Sequence, residues 1–270
     1  MIKLKEDEFQ AITTYVHSNY GVDLRKKRHL IEGRLSHYVS QLGYDNYMDY
    51  FEYVKTDKKN DEISVLINKL TTNHTYFLRE SEHFDFYKQQ VLPWVDETTK
   101  TKDLRVWSAG CSSGQEPYTL AMITHDYLGS KLNTWDSTIL ASDISDRVLM
   151  TAKSGVYSKE ELSKIPMEWK RKYFKDYDEE YLSVTESIRK GVAYRNFNLL
   201  SRFQFKKPFH AIFCRNVMIY FDKPTKNSVV QKFYDALLPG GYFFIGQSES
   251  LASVEHNFKY VKPSIYQKEG

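Results

Sequence analysis

The segment 104–118 (LRVWSAGCSSGQEPY) restricts the possible folds of this chain more than any other segment. Its apolar start predicts a strand, the next residues form a loop that contains Gly110 and Gly114, and residues 117–127 predict a helix. Glycine lets a backbone turn tightly and approach a ligand closely. In an α/β fold, this order holds a nucleotide-like ligand at the carboxyl end of the first strand. Because unrelated chains also carry two glycines after a strand, the prediction depends on the segments that follow.

Three later segments continue the alternation of strands and helices. Residues 137–143 form a β-branched, apolar run that ends in a carboxylate, and residues 209–221 are apolar enough for a buried parallel strand. Residues 225–238 predict a helix that stops at the Pro-Gly-Gly turn 239–241 and leads into another buried strand. This Leu-x-Pro-Gly-Gly turn resembles that of the seven-stranded S-adenosylmethionine (SAM) methyltransferases, and dinucleotide dehydrogenases seldom have it.

Asp143 ends the second predicted strand and has two competing interpretations. A dinucleotide-type fold places an acid there to accept hydrogen bonds from ribose hydroxyls, usually roughly 20 residues after the glycine loop. Here the gap from Gly114 is 143 − 114 = 29 residues, which a longer first helix would explain. The alternative is a helix N-cap for the segment 144–153. One side chain serves only one of these purposes well at a time.

Five motifs, in the right order, closely resemble those of the CheR family, the chemotaxis receptor glutamate O-methyltransferases. They are 73–80 (NHTYFLRE), 108–118 (SAGCSSGQEPY), 198–200 (NLL), 214–222 (CRNVMIYFD) and 246–250 (GQSES). The resemblance covers nearly the whole chain. It implies an α/β fold with a seven-stranded, doubly wound, Rossmann-like sheet, an N-terminal all-helical domain and a small inserted β-subdomain. It also implies methyl transfer from SAM to glutamate carboxylates of chemotaxis receptors, which gives glutamyl methyl esters and S-adenosylhomocysteine (SAH).

The hydrophobic periodicity divides the chain into three parts. Apolar residues repeat at helical spacing through most of residues 1–70, which predicts a small helical domain. Residues 71–95 connect it to the sheet and predict a docked helix that ends near Pro93. Residues 96–270 predict the methyltransferase domain. Within it, the β-subdomain at about 155–193 combines a helical stretch, 159–174, with short antiparallel strands in 180–190, and the tail 258–266 predicts two short strands broken at Pro263.

Composition excludes several other classes of protein. The chain has 270 residues, 41% of them hydrophobic, and a mean hydropathy of −0.57. No run approaches the ~18 apolar residues of a membrane span, and the start lacks the apolar core of a signal peptide. We therefore expect a cytoplasmic protein without membrane insertion. A net charge of +3 does not suggest nucleic-acid binding. The two cysteines are too few for a metal site, so no metal is expected.

The resemblance assigns roles to individual residues. It implies SAM contacts for Asn73, Thr75, Arg79, Gly110, Glu116, Asp143, Asn198, Leu199, Arg215 and Asn216, and catalytic roles for Arg79 and Tyr220.

Three of these assignments have specific chemical meanings. Arg79 either pairs with the carboxylate of SAM or orients the substrate carboxylate. Glu116 suits a helix start on dipole grounds alone, and it would also accept a hydrogen bond from the ammonium group of SAM. Because SAM has no phosphate, an acid beside the glycine loop is tolerable here, whereas it would repel a dinucleotide. Asn198 would read the edge of the adenine ring.

The stretch 24–37 (LRKKRHLIEGRLSH) contains one acid and five basic residues: Arg25, Lys26, Lys27, Arg28 and Arg34. It is either a solvated helix face or a docking surface for an acidic receptor helix. Some members of the CheR family also anchor to a receptor's terminal pentapeptide through a glycine-rich loop in the β-subdomain. Residues 176–190 contain no glycine here, so we expect recognition without the pentapeptide.

Two rival functions remain. A SAM enzyme of the same fold that methylates a small carboxylic acid would not need the basic helical domain. A non-catalytic SAM or SAH sensor would tolerate a degraded site, yet Gly110, Gly114, Asp143, Asn216 and Tyr220 are all present. A nucleic-acid amine as methyl acceptor is disfavoured, because such enzymes usually carry a Pro-Pro motif after the fourth strand and this chain has none.

Overall fold

The computed structural model describes residues 2–57, 61–71 and 74–270. Four helices form the N-terminal domain: α1 (Glu6–Tyr20), α2 (Arg28–Gln41), α3 (Tyr47–Thr56) and α4 (Asp61–Leu70). They pack around their own apolar core, in which Ile12, Leu35 and Leu66 are fully buried. The predicted all-helical domain is therefore confirmed. The polar stretch 58–61 (KKND), which predicts a break between two helices, lies mostly outside the described residues.

The segment that follows is more helical than its sequence indicates. Helix α5 (Ser81–Phe86) continues through a π-helical turn (Tyr87–Val91) into α6 (Leu92–Thr98). The predicted end near Pro93 is thus wrong. A proline lacks the N–H that a helix interior needs and crowds the preceding turn. Here the wider π turn lies directly before Pro93, and the helix restarts with that proline in its first turn.

The C-terminal domain is built on a seven-stranded sheet. In chain order the elements are β1 (Val106–Ala109), α7 (Gln115–Leu128), β2 (Ile139–Asp143), α8 (Asp146–Ser154), β3 (Val156–Ser158), α9 (Met167–Tyr173), β4 (Phe174–Asp176), β5 (Tyr181–Val184), α10 (Glu186–Lys190), β6 (Val192–Asn196), β7 (Phe209–Cys214), α11 (Lys223–Ala236), β8 (Leu237–Ile245), β9 (Phe258–Lys262) and β10 (Ile265–Lys268). The large sheet has the order β6-β2-β1-β7-β8-β10-β9, with parallel pairing from β6 to β8 and antiparallel pairing at β10. This confirms the predicted doubly wound sheet and its two-stranded tail.

Three short antiparallel strands, in the order β3-β5-β4, form the inserted subdomain. Its existence is confirmed, but two local predictions differ from the structure. The stretch 180–190 contains one strand followed by a helix, because only its first half pairs with neighbours. The helix predicted for 225–238 ends at Ala236, and the Pro-Gly-Gly turn lies inside β8, where the register with β7 shifts. Gly240, with φ +79°, permits that irregularity.

The strand order reverses between β1 and β7, and ligands in open α/β sheets bind at such a point. Strand β1 and the loop after it donate hydrogen bonds to Ser142 near the end of β2. The indole N–H of Trp107, which is fully buried, donates to Ser142 Oγ at 2.9 Å. The backbone N–H groups of Gly110 and Cys111 donate to the Ser142 carbonyl at 2.8 and 2.9 Å. The loop after β1 is therefore fixed against the end of β2.

Gly114 joins this loop to α7 and generates the first prediction. Its φ is +97°, and an added Cβ would lie 2.9 Å from Ala152 Cβ and from the hydroxyls of Tyr157 and Tyr194. We expect Gly114→Ala to lower the free energy of unfolding by about 2–4 kcal/mol through backbone strain and overpacking. Gly33→Ala is the matched control, since nothing lies within 4 Å of the new Cβ. Chemical denaturation measures both, and equal stabilities would contradict the prediction.

Candidate active site

A cavity of about 250 Å³ opens at the carboxyl ends of the parallel strands. The helical domain, the connecting segment and the strand-end loops all contribute walls. The described residues to which the resemblance assigned catalytic or cofactor roles all line it: Thr75, Arg79, Gly110, Glu116, Asp143, Asn198, Leu199, Arg215, Asn216 and Tyr220. The prediction for Asn73 lies outside the described residues.

The helical domain supplies wall residues that no motif had indicated. Tyr20 and Val22 come from the end of α1 and the turn after it, and Ile67, Asn68 and Thr71 come from α4 and its end. Asn68 Nδ2 also donates to Ser145 Oγ at 2.6 Å, which ties α4 to the start of α8. The sequence carried no local signal for these residues, since their role arises from docking of one domain on the other.

Three backbone positions around the cavity have left-handed conformations. Gly110 has φ +85°, and a Cβ there would lie 2.3 Å from Val217 Cγ2. Ser112 and Asn216 have φ values of +49° and +59° although both carry side chains. Strained residues of this kind persist only where the surrounding structure holds them, and they cluster at functional sites. The surrounding structure thus fixes the backbone conformation of the loops after β1 and β7, where the strand order reverses.

Asp143 is not the helix cap that one interpretation predicted. Helix α8 begins at Asp146 and is capped by Ser145, whose Oγ accepts a hydrogen bond from the Val148 N–H. The Asp143 carboxylate instead accepts the N–H groups of Ser112 at 2.9 Å and Ser145 at 3.0 Å. Burial raises its pKa in spite of these bonds. It faces the cavity, and ribose binding stays a prediction.

Arg215, at the end of β7, is the centre of a buried ion cluster. Its side chain is only 3% exposed, and Nη1 lies 2.9 Å from Glu116 Oε2. Nε and Nη2 donate to Glu80 Oε2 at 3.2 and 3.0 Å, and Nη2 also donates to the Arg79 carbonyl. Ser108 Oγ donates to the other Glu116 oxygen at 2.7 Å. Arg215 therefore connects the end of β7 with the start of α7 and with the segment before α5.

Glu80 is a site residue to which the sequence assigned no role. In the structure Glu80 precedes α5 with φ +55°, so its carboxylate turns away from Arg79 and toward β7. The motif 73–80 did include this residue, but only the tertiary structure brings it to Arg215.

The two acids of the cluster respond differently to burial. Burial raises the pKa of Glu116, although Arg215 and the Ser108 hydroxyl oppose this effect. Burial would also raise the pKa of Glu80, but the charge and hydrogen bonds of Arg215 outweigh it and lower that pKa. The charge of Arg215 thus favours the ionised form of both carboxylates, and burial opposes it.

A second missed carboxylate, Glu249, shapes the loop after β7. It accepts backbone N–H groups from Asn216 at 2.8 Å, Gly246 at 2.6 Å and Ile219 at 3.1 Å. Tyr220 ends the short 3₁₀ turn that follows. Its carbonyl accepts the N–H of Asp23 at 2.8 Å, so both domains determine where this tyrosine lies.

Arg79 differs from Arg215 in having no acidic partner among residues 2–57, 61–71 and 74–270. Its guanidinium donates to the His74 carbonyl and lies 5.9 Å from the centroid of the Tyr76 ring. The Lys164 ammonium nitrogen also lies over the Tyr76 ring, 4.0 Å from its centroid. Arg79 thus presents a cation to the cavity, which agrees with either of its predicted roles.

Asn198 and Leu199 follow β6 as expected, but the Asn198 amide already has partners. Its Nδ2 donates to the Asn19 carbonyl at 2.7 Å, and its Oδ1 accepts the Leu200 N–H at 2.9 Å. Leu199 is 7% exposed. The amide therefore also fastens α1 to the sheet, and adenine recognition by these two residues stays a prediction.

The basic residues do not form one free helix face. Helix α2 begins only at Arg28, which pairs with Glu6. Arg25 pairs with Asp23 at 2.8 Å and with Asp222 at 3.0 Å. Arg34 donates to the carbonyls of Lys69 and Thr71. Lys26 and Lys27 are exposed in the turn before α2.

Comparison with known proteins agrees with this geometry. Residues 73–267 match the family model described as CheR methyltransferase, SAM binding domain, and residues 7–71 match the CheR methyltransferase, all-alpha domain. A chemotaxis protein methyltransferase of Borreliella burgdorferi is 39% identical over 272 residues, which cover 99% of this chain and 96% of that protein. A chemotaxis protein methyltransferase of Escherichia coli (strain K12) is 33% identical, covering 98% of this chain and 92% of that protein.

The fold, the cavity and the matched SAM-binding domain define a SAM-dependent methyltransferase. Within that class, the two matched domains and the full-length relatives assign the particular family. The chain belongs to the CheR family of chemotaxis protein methyltransferases.

The residues of the cavity fit SAM. The largely buried Glu116 carboxylate lines the cavity beside the glycine loop and suits a ligand that carries an ammonium group and no phosphate. The bare Cα of Gly110 lets the glycine loop pack against the Val217 side chain, which a Cβ at this position would contact at 2.3 Å. In the described residues, no group of three or more potential metal ligands occurs and no helix is long and apolar enough to span a membrane.

The raised pKa of Glu116 predicts that SAM affinity depends on pH. A neutral acid offers no charge to the ammonium group, so we expect the Kd for SAM to rise as the pH falls through that raised pKa. Calorimetric titrations between about pH 8 and about pH 5 measure this. Glu116→Gln should bind more weakly and with a flatter pH profile. An unchanged profile in that variant would assign the effect to another acid such as Asp143, whose pKa burial also raises.

Proposed function

We propose that this protein transfers the methyl group of SAM to glutamate side chains of chemotaxis receptors, in the cytoplasm. The products are glutamyl methyl esters and SAH. The observation that carries the choice of acceptor is Arg79, a cavity arginine without an acidic partner in the described part of the chain. A guanidinium group is the natural partner of an incoming carboxylate, which it binds with two parallel hydrogen bonds.

A carboxylate acceptor needs no general base to remove a proton before it attacks the methyl group. A glutamate side chain has a reference pKa near ~4.3 and is ionised at neutral pH. SAM supplies a methyl group bonded to a positively charged sulfur. The protein's task is then to exclude water and to align the acceptor oxygen, since charge attraction strengthens in a dry site.

The residues divide this task. Arg79 orients the acceptor carboxylate from the connecting segment, and Tyr220 confines it from the turn after β7. Glu249 holds that turn through three backbone N–H groups, which limits movement of Tyr220. Tyr20 at the end of α1, and Ile67 and Asn68 of α4, add walls to the cavity and reduce its exposure to water.

The decisive experiment incubates the protein with methyl-labelled SAM and chemoreceptor-containing membranes, followed by mild base and trapping of volatile label. Label released as methanol from the receptor band is expected, because a carboxyl methyl ester hydrolyses in base. Stable label on the receptor would mean a different acceptor atom. SAM binding without any transfer would favour the sensor function instead.

The positioning roles predict a separation of turnover from affinity. We expect Arg79→Ala and Tyr220→Phe to lower kcat by roughly 10- to 100-fold while changing the Kd for SAM less than about threefold, because each acts mainly on alignment. Filter-based methylation assays and calorimetry provide the two readouts. Arg171→Ala and Tyr260→Phe, both at exposed positions, are the matched controls. Parallel losses in kcat and affinity would contradict positioning and assign both residues to cofactor binding.

The basic segment is proposed to steer acidic receptor helices, and Lys26 and Lys27 are its exposed members. We expect Lys26→Gln/Lys27→Gln to raise the KM for receptor several-fold at low salt and much less at about 0.5 M salt, where charges are screened. Lys88→Gln/Lys100→Gln removes two exposed lysines outside the helical domain as a control. A salt-independent KM in the unmodified protein would refute electrostatic docking.

Receptor recognition is further proposed not to need a terminal pentapeptide. The link between β4 and β5 is a tight turn in which Asp178 Oδ1 accepts the N–H groups of Glu180 and Tyr181 at 2.9 and 2.8 Å. No glycine relieves this turn. Receptors truncated by that peptide should therefore be methylated at an unchanged rate, and micromolar binding of the isolated peptide would disprove the proposal.

A further inference from the structure

One aromatic ring at the edge of the cavity has two cations beside it. The Lys164 ammonium nitrogen lies 4.0 Å from the centroid of the Tyr76 ring, and the Arg79 guanidinium lies 5.9 Å from it. Tyr76 and Arg79 line the cavity, whereas Lys164 is exposed and belongs to the inserted subdomain. We call these three residues the Tyr76 patch. It brings a charge of the inserted subdomain to the boundary between the cavity and solvent.

Packing of the residue after Tyr76 fixes this arrangement. Phe77 is 1% exposed, and its ring centroid lies 4.9 Å from that of Tyr157 and 5.8 Å from that of Phe174, both in edge-to-face geometry. Tyr157 belongs to β3 and Phe174 to β4 of the inserted subdomain. The connecting segment is therefore anchored to that subdomain directly beside the Tyr76 ring.

The turn that contains Lys164 is anchored as well. Leu162 and Ile165 are buried, at 0% and 4% exposure, and the Ile165 N–H donates to the Leu162 carbonyl at 3.0 Å. The attraction between a cation and the face of an aromatic ring favours the position of the ammonium group over Tyr76. The protein thus presents the Lys164 charge at a defined place next to the cavity.

Neither cation of the patch has an acidic partner in residues 2–57, 61–71 and 74–270. The acids next to them in the chain have other partners. Glu80, which follows Arg79, accepts hydrogen bonds from Arg215 at 3.2 and 3.0 Å. Glu161, in the turn before Lys164, accepts a backbone N–H at 2.9 Å.

The other acids of this region do not pair with the patch either. Glu160 is exposed and forms no ion pair in the part of the chain that the structure describes. Inside the cavity, Glu116 is bonded to Arg215, and Asp143 accepts backbone N–H groups. Two like charges at one ring repel each other, and a carboxylate bound beside them relieves that repulsion. The complementary partner of the patch is therefore negatively charged.

We propose that Lys164 and Tyr76 form a docking surface for an acidic helix, on which Lys164 binds a second carboxylate next to the one that enters the cavity at Arg79. Glutamates four residues apart on a helix have Cβ atoms about 5–6 Å apart, which the long side chains of arginine and lysine can span. The inference rests on the proposed function, in which Arg79 orients the acceptor carboxylate. Lys164 is then a specificity-determining residue, because it selects acceptors by the charge of a neighbouring side chain.

Peptide binding to the full-length protein, saturated with SAH so that no methyl transfer occurs, tests the proposal. One labelled helical peptide carries two glutamates four residues apart, and in a second peptide glutamine replaces one of them. We expect the unmodified protein to bind the first peptide about three- to fivefold more tightly at low salt, as measured by fluorescence anisotropy. Lys164→Gln should bind both peptides alike. Effects common to both peptides, such as steering by Lys26 and Lys27, cancel in this comparison.

Reversal of the charge gives a sharper test. Lys164→Glu should bind a peptide with lysine at the second position more tightly than the peptide with two glutamates, which is the opposite order to that of the unmodified protein. Lys175→Gln is the matched control, since Lys175 is an exposed lysine in β4 of the same subdomain. It should keep the preference of the unmodified protein for two glutamates. The Kd for SAM should stay unchanged in all three variants.

A preference for two glutamates that persists in Lys164→Gln would overturn the proposal, and so would an unmodified protein that binds neither peptide or both equally. The labelling experiment with receptor membranes has separate outcomes. Methyl esters on the receptor without coupling between Lys164 and the second glutamate would refute only the docking surface. Coupling together with label that is stable to base would support the docking surface and refute glutamate as the acceptor.

Discussion

The buried pairing of Arg215 with two glutamates is the interaction on which the site depends. Arg215 ends β7, Glu116 begins α7, and Glu80 belongs to the segment between the domains. Removing Arg215 would leave two largely buried glutamates without their cation, which is strongly destabilising. The same contacts that hold the connecting segment against the sheet therefore also determine the charge of the cavity. Structural and chemical requirements cannot be separated at this point of the molecule.

The cavity exists only because the helical domain rests on the sheet. The hydrogen bonds between them include one from the Asp23 N–H to the Tyr220 carbonyl and one from Asn198 Nδ2 to the Asn19 carbonyl. Asp222, the N-cap of α11, contacts His17 at 2.8 Å. Since these contacts involve residues that are also cavity walls or their neighbours, binding in the cavity and docking of the helical domain are physically linked.

Much of the architecture was predictable because its signals are local. Helical periodicity indicated the N-terminal domain, and apolar runs punctuated by glycine and proline indicated the strands. The errors occurred where local preference and tertiary context disagree. Pro93 is accommodated by a π turn, and the Pro-Gly-Gly turn becomes part of β8. In each case packing against neighbouring strands and helices outweighed the preference of the single residue.

The sequence by itself determined the fold class, the family resemblance and the short motifs that surround the cavity, because each depends on residue types at fixed spacing along the chain. Only the tertiary structure decided how those residues use their charges. In the folded protein Arg215 pairs with Glu80, and Arg25 pairs with Asp222. Arg79 has no acidic partner among the described residues. Pairing of this kind depends on distances between atoms that are about 135 and 197 residues apart in the chain. Such distances are set by the packing of whole elements, so no local pattern encodes them.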